Sequence, residues 1–393
     1  MTKIPEWWIE TTLKQCVNTN EKSITKNYLY EKILYLDTWS ITENKIEWLQ
    51  EFLVNKAPSR AKRLVKDWDI IYSTVRPNQK HFWFIKNPQK NLVVSTWFAV
   101  LSPKENSDWT FIYYYITQDY ITEKLHIIAE QAVSTYPSIK PENIENLSIF
   151  LPPLPEQKAI AGVLSSFDDK IELLRAENQT LEEMGQTLFK ERFGKYKVWD
   201  ELPNGWKVGK LTDIADFLNW IALQKFPPKW DEKWLPIVKI REMKAGITGE
   251  TDRATKDIDE KYIIQNEDVL FSRSWSLELV FWEYWPWALN QHLFKVSSDK
   301  YPKWFYYYWI KHHLTEFRSI ASNKATTMWH IQRCHLERAE VIIPSDNDLH
   351  KFDEVMDKLL KKIFNNKSTI HSLTESRDQL LPKLMSWEVR VEF

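Results

Sequence analysis

Cysteine and long apolar runs are both scarce in this chain of 393 residues. Its two cysteines, Cys16 and Cys334, are too few for a disulfide framework or a cysteine-ligated zinc site. No stretch of about 18 uncharged apolar residues is present, and the first residues lack a hydrophobic signal core. A transmembrane or secreted protein is therefore not expected, and we predict a cytoplasmic location.

Glycine is also scarce, and tryptophan is in excess. Average usage would give about 28 glycines, whereas the chain has 7 glycines and 21 tryptophans. Several tryptophans stand in turn-like surroundings, where a positive φ often requires glycine: Trp68, Trp109, Trp220 and Trp275. We hypothesise that most such codons are read as glycine in the native organism, whereas Trp206 and Trp304 fit genuine aromatic positions. The alternative is an aromatic-rich protein.

The sequence shows no sign of a catalytic centre. Glycine-rich phosphate loops, a nucleophile elbow and a D/N-P-P-Y/F methylation motif are missing. His330, Cys334 and His335 lack the number and spacing of metal ligands. We therefore predict no catalytic residue and no metal site. The acidic turns at 231–232 and 259–260 leave a nuclease as an alternative.

Two similar units follow each other along the chain. Residues 135–152 align without gaps to residues 327–344, at an offset of 192, and 181–188 align to 373–380 at the same offset. The segment 69–74 matches 268–273. Four such matches in order, with a tyrosine triplet in each unit as the fourth, predict a duplicated module.

Each unit begins with a mixed region and ends in a long helix. Short β-type runs and a helical stretch precede a proline break, after which apolar residues follow a heptad pattern. We predict an α+β fold, in which two α/β domains are separated by two long helices that form an antiparallel coiled coil with pseudo-twofold internal repeat. The predicted boundaries are 1–154 and 195–344 for the two α/β domains, and 155–194 and 345–393 for the helices.

A polar residue interrupts each heptad seam. If antiparallel layers pair residues whose numbers sum to 544, Asn178 faces Asn366. A buried polar pair fixes the register of a coiled coil at a cost in stability. The alternative is two solvated asparagines at the edge of the seam.

Net charge does not favour nucleic acid, but its distribution does. The formal net charge is −1, so only local basic patches could attract DNA. Residues 70–104 and 317–336 contain no acidic residue. Basic side chains can contact phosphates, and Arg, Asn and Gln can read base edges. The alternative is a solvated basic surface. The candidate DNA-binding residues of the first unit are Arg60, Lys62, Arg63, Arg76, Asn78, Gln79, Lys80 and His81, and those of the second are Arg273, Ser274, Asn290, Gln291, His292, Lys324 and His330.

Four segments resemble the specificity subunits of type I restriction–modification systems. They are LPPLPEQKAIAGVLSSFDDKIELL at 151–174, LPNGWKVGKL at 202–211, TTMWHI at 326–331 and LLPKLMSWEVRV at 380–391. The resemblance covers essentially the whole chain and the order of its parts. The proline-rich entry into a long helix, found twice, is its most specific element.

The resemblance implies a non-catalytic subunit with two target recognition domains, each reading half of a bipartite DNA sequence in the major groove. Two modification subunits would bind the helical spacers and use S-adenosylmethionine to methylate adenine. A restriction subunit would add ATP-driven translocation with Mg²⁺. Helix residues away from the seam, for example Asp168, Asp169, Glu172 and Arg175, would form the partner surface. A stand-alone nuclease or methyltransferase, or a purely structural scaffold, remains the alternative.

Overall fold

The computed structural model describes residues 4–132, 136–219, 226–229, 233–245, 251–273, 277–283, 286–323 and 331–392. These residues form two compact units: the first comprises 1–171 together with 372–393, and the second comprises 172–371. In the described part of the chain, no helix has the length and apolar character needed to span a membrane.

In the first unit, the residues that the structure describes form two four-stranded sheets and two short strand pairs. Their orders are β6-β3-β10-β7 and β2-β11-β8-β9, with β1 pairing β12 and β4 pairing β5. The strands are β1 (Ile9–Thr12), β2 (Val17–Thr19), β3 (Lys32–Leu36), β4 (Ile41–Thr42), β5 (Lys45–Ile46), β6 (Gln50–Leu53), β7 (Ala61–Leu64), β8 (Ile70–Ser73), β9 (Phe82–Phe84), β10 (Leu92–Ser95), β11 (Phe98–Pro103) and β12 (Ser148–Leu151). The helices are α1 (Leu13–Cys16), α2 (Trp109–Ile116), α3 (Asp119–Glu130), α4 (Pro141–Glu145) and the start of α5 (Leu154–Phe189).

The described residues of the second unit form two sheets with the orders β14-β21-β18-β19 and β16-β15-β20-β17, and β13 pairs β22. Its strands are β13 (Lys207–Lys210), β14 (Asp216–Leu218), β15 (Trp234–Val238), β16 (Arg253–Thr255), β17 (Ile263–Ile264), β18 (Val269–Ser272), β19 (Leu279–Phe281), β20 (Trp287–Leu289), β21 (Leu293–Ser297) and β22 (Glu340–Ile343). Its helices are α6 (Leu211–Ile214), α7 (Ile240–Ala245), α8 (Lys303–Asn323), α9 (Arg333–Arg338) and most of α10 (Asp346–Met385).

The sheets of the two units have the same topology. The strand β3 pairs in parallel with β10, and β15 pairs in parallel with β20, whereas the other pairs of these sheets are antiparallel. A parallel pair needs a long connection between its strands, and each unit makes it at the same place. The predicted duplication is therefore confirmed at the level of the fold.

Both long helices pack into the unit cores through their apolar seams. In the first unit, Leu164 and Leu384 lie in the same buried cluster as Phe111 and Ile70. In the second unit, Phe189 and Met356 lie in one cluster with Trp304. A helix of 36 or 40 residues gains most of its stability from such burial of an amphipathic face.

The helices run antiparallel within the second unit. The Asn366 side-chain amide donates to Asn178 Oδ1 at 3.0 Å, and both residues are buried. Phe193 and Phe352, whose numbers sum to 545, have ring centroids 5.1 Å apart. The asparagine contact is the one that the register of 544 predicts.

One helix residue lies where we did not expect it. The first unit joins Asp168 of α5 to Arg377 of α10, and the Tyr114 hydroxyl donates to Asp168 at 2.6 Å. The prediction that Asp168 points away from the seam is therefore wrong. Asp168 is four residues after the seam residue Leu164, and a helix brings such residues onto one face. Asp169 is exposed beside Lys86, as expected for an outward position.

Candidate DNA interface

The first candidate site is a loop at the tip of a hairpin. The strands β8 and β9 pair antiparallel, with Ile70 opposite Phe84, and a 3-10 turn at Pro77–Gln79 forms the tip. Arg76 and Lys80, on either side of this turn, have φ values of 49° and 53°. Non-glycine residues rarely adopt this left-handed conformation, and it is concentrated at functional sites.

Three side chains of this loop can reach a ligand. Asn78 is exposed and Gln79 is half-buried. The Arg76 guanidinium carbon lies 5.4 Å from the ring centroid of Tyr136 and 5.8 Å from that of Trp39. An arginine and two amides at a hairpin tip provide the groups that recognise guanine and adenine edges in a major groove.

Lys80 differs from the other loop residues because it is already paired. Its Nζ lies 3.0 Å from a Glu43 carboxylate oxygen and 2.9 Å from an Asp119 oxygen. Burial acts to lower the pKa of Lys80, but the two carboxylates outweigh it and raise that pKa above its usual value. The acid-free run of 70–104 did not indicate this pairing, because both acids come from other parts of the chain.

His81 is nearly inaccessible, at 9% exposure. Burial lowers the pKa of its imidazole to about 4. The ring is therefore neutral at pH 7, and it is buried where the loop joins β9.

The remaining candidates of the first unit lie on or next to another strand. Lys62 and Arg63 belong to β7, which is in the other four-stranded sheet, and Arg60 directly precedes it. Lys62 is exposed, whereas burial lowers the pKa of Arg63. The Arg60 guanidinium lies 3.9 Å from the ring centroid of Trp97.

The second unit places its candidates around the end of β18. Arg273 follows this strand, and its Nε donates to the Ile331 carbonyl at 3.4 Å. Burial lowers the pKa of Arg273, and burial together with the Arg273 charge lowers that of His292. His292 is exposed, Gln291 is half-buried beside it, and Asn290 is buried with its side-chain oxygen accepting from the His292 amide at 3.0 Å. Three further candidates, Ser274, Lys324 and His330, lie outside the described residues.

Both candidate sites begin at a residue whose backbone makes the same pair of hydrogen bonds, Thr74 in the first unit and Arg273 in the second. We call this arrangement the backbone junction. The Thr74 amide donates to the Trp97 carbonyl at 2.7 Å, and the Thr74 carbonyl accepts from Ile139 at 2.8 Å. In the second unit, the Arg273 amide donates to the His292 carbonyl at 2.9 Å, and the Arg273 carbonyl accepts from Ile331 at 2.8 Å. The duplicated fold thus places Thr74 and Arg273 at equivalent positions, directly after β8 and β18.

Comparison with known proteins assigns the family. The model of the type I restriction modification DNA specificity domain matches residues 8–183 and again residues 203–375. The chain belongs to this family. The two matches of the specificity domain coincide with the two repeats of the sequence.

Other members of the specificity-domain family align with most of the chain. The type I restriction enzyme HindI specificity subunit of Haemophilus influenzae is 24% identical over 92% of this chain and 95% of its own length. The MjaIX specificity subunit of Methanocaldococcus jannaschii is 29% identical over 78% of this chain and 74% of its own. The crystal structure of the S subunit from M. genitalium shares the fold, with a TM-score of 0.52, 17% identity and 97% coverage of each chain.

Within the ranges that the structure describes, no group of three or more His, Cys, Asp and Glu residues is placed to hold a metal ion. Cys16 is buried and Cys334 is partly buried, and neither is in a disulfide.

Proposed function

We propose that this chain is the DNA-recognition subunit of a type I restriction–modification complex and has no catalytic activity of its own. The observation that carries the proposal is the duplicated backbone junction at Thr74 and Arg273, after which the two units differ in sequence. Each loop would read one half of a bipartite target, so that a single asymmetric chain recognises an asymmetric sequence.

The long helices would bind the partner subunits. Exposed polar residues on α5 suit a protein surface, among them Asp169 at 70% side-chain exposure and the Glu172–Arg175 ion pair. We propose two modification subunits, which would hold S-adenosylmethionine, and a restriction subunit, which would use ATP and Mg²⁺. Because the partner molecule is DNA, we propose that the complex works in the cytoplasm.

Loop variants of the assembled complex test this function. We expect Arg76→Ala to relax base preference in one half of the target and Arg273→Ala to relax it in the other, each by about 1–3 kcal/mol per base contact. Selection of bound sequences from a randomised DNA library measures both preferences. Lys62→Ala is the control, because loss of a phosphate contact weakens all sequences equally.

A different outcome would favour the alternatives. If both loop variants alter the same half of the target, the two-site arrangement is wrong. If the purified chain alone methylates or cuts DNA, it is a stand-alone enzyme. If the complex binds no DNA sequence selectively, the chain is a scaffold.

A further inference from the structure

Lys80, which forms two ion pairs, lies where the loop of Arg76, Asn78 and Gln79 joins the rest of the first unit. Its side chain is 33% exposed, whereas Glu43 and Asp119 are 57% and 86% exposed. The three charged groups together carry one net negative charge, which does not favour a DNA phosphate. The Lys80 backbone also participates, because its carbonyl accepts from the Glu43 amide at 2.9 Å.

Glu43 is held in place by a second hairpin. Glu43 and Asn44 form the turn between β4 and β5, with φ values of 45° and 67°. The Asn44 amide donates to the Phe82 carbonyl at 3.0 Å, and Asn44 Oδ1 accepts from the Phe84 amide at 2.8 Å. The turn is therefore bonded along β9, and it carries the Glu43 carboxylate to Lys80.

The opposite side of the loop is held by backbone contacts. The Arg76 amide donates to the Pro137 carbonyl at 2.9 Å, and Val75 forms an isolated bridge with Ser138. These contacts hold the loop at both ends, on either side of Asn78 and Gln79. Recognition is sharper when the reading groups are fixed before binding.

We propose that Lys80 is a positioning residue, and that Glu43 and Asp119 complete a clamp that holds the loop of Arg76, Asn78 and Gln79 in its reading conformation. This inference rests on the proposed DNA-recognition function. It assigns Lys80 a role inside the protein instead of the phosphate or base contact that its charge suggests, and it adds two acidic residues to the specificity determinants.

The salt dependence of DNA binding by the assembled complex separates the two roles. A lysine that neutralises a phosphate contributes about 0.9 to the slope of log K against log salt concentration. We expect Lys80→Met to leave this slope unchanged and to reduce base preference in one half of the target roughly tenfold. Glu43→Gln combined with Asp119→Asn should produce the same loss of base preference. Lys80→Arg keeps the positive charge and should retain the base preference of the wild-type complex.

A measurement without DNA checks the clamp independently. We expect Lys80→Met to speed hydrogen exchange of the amides at 75–76 and 78–80 in the free chain, with the amides of β11 unchanged as a control for folding. A slope lowered by about 0.9 in Lys80→Met, with base preference intact, would overturn the clamp. Unchanged exchange and unchanged preference would also overturn it. If the wild-type complex itself showed no sequence preference, the result would instead contradict the proposed function.

Discussion

Trp387 and Trp68 adopt backbone conformations that favour glycine. The Glu388 amide donates to the Lys383 carbonyl at 2.8 Å, and the Trp387 amide donates to that of Leu384 at 3.4 Å. These two bonds form a Schellman motif, in which a left-handed residue, usually glycine, follows the helix. Trp387 occupies that position with a φ of 63°.

Trp68 has a φ of 68° and is the third residue of a turn closed by the Asp69 amide on the Lys66 carbonyl. A type II turn requires glycine or asparagine there. Trp206 and Trp304 are different, because both are buried and donate from the indole to Asp348 and Asp353. Trp220 and Trp275 lie outside the described residues. The contrast supports the hypothesis of reassigned codons, which stays a prediction.

Substitution by glycine distinguishes the two kinds of tryptophan. We expect Trp68→Gly and Trp387→Gly to change the free energy of unfolding by no more than about 1 kcal/mol, because relief of left-handed strain offsets lost contacts. Trp206→Gly and Trp304→Gly should cost about 3–5 kcal/mol each. Peptide masses from the native organism give the direct answer, and tryptophan at 68 and 387 in those peptides would refute the hypothesis.

His81 makes stability depend on pH. Its pKa is about 4 in the folded chain and about 6.5 when unfolded, so the unfolded chain binds the proton first. Stability from the neutral buried ring is therefore present above about pH 6.5 and falls as pH decreases toward 4, by up to about 3 kcal/mol. Urea unfolding at pH 7 and pH 5 should show this loss. His81→Gln should reduce it and the exposed control His350→Gln should not; an equal loss in all three proteins would contradict the assignment.

At the scale of elements, two glycines of α5 are under opposite constraints. A Cβ on Gly185 would overlap the Tyr308 hydroxyl, whereas a Cβ on Gly162 would meet nothing within 4 Å. We expect Gly185→Ala to lower the free energy of unfolding by about 1–3 kcal/mol through overpacking. The matched control Gly162→Ala should raise it by up to about 1 kcal/mol through helix propensity. Chemical denaturation measures both, and destabilisation by both variants would contradict the difference.

The buried asparagine pair of the helices should behave as a coupled unit. Asn178→Leu removes an acceptor from Asn366, which leaves a buried amide with fewer partners and should cost about 1–3 kcal/mol. The double variant with Asn366→Leu should cost less than the sum of the single variants, because both polar groups are removed together. A double-mutant cycle of unfolding free energies measures this coupling, and additive costs would show that the contact has no energetic role.

At the scale of the whole molecule, contacts that follow from a periodic pattern could be predicted from the sequence, and contacts between residues outside such a pattern could not. The heptads gave both long helices and the asparagine contact, because side chains spaced at 3 and 4 residues must share a helix face. The gapless alignment of residues 135–152 with 327–344 predicted the duplicated fold. The partners of Lys80 are 37 and 39 residues away along the chain, and the parallel pairing of β3 with β10 joins residues 58 positions apart, such as Leu34 and Leu92. No local pattern specifies such contacts.

The first unit is completed by residues 372–392, which lie about 200 residues beyond the end of its other segment. Leu384, at 1% exposure, and the adjacent Leu380 and Met385 pack against its core. Domains generally fold as they leave the ribosome. The core of the first unit, however, stays incomplete until the whole second unit, residues 172–371, has been translated. A premature stop codon near position 371 would therefore damage the part of the protein that was synthesised first.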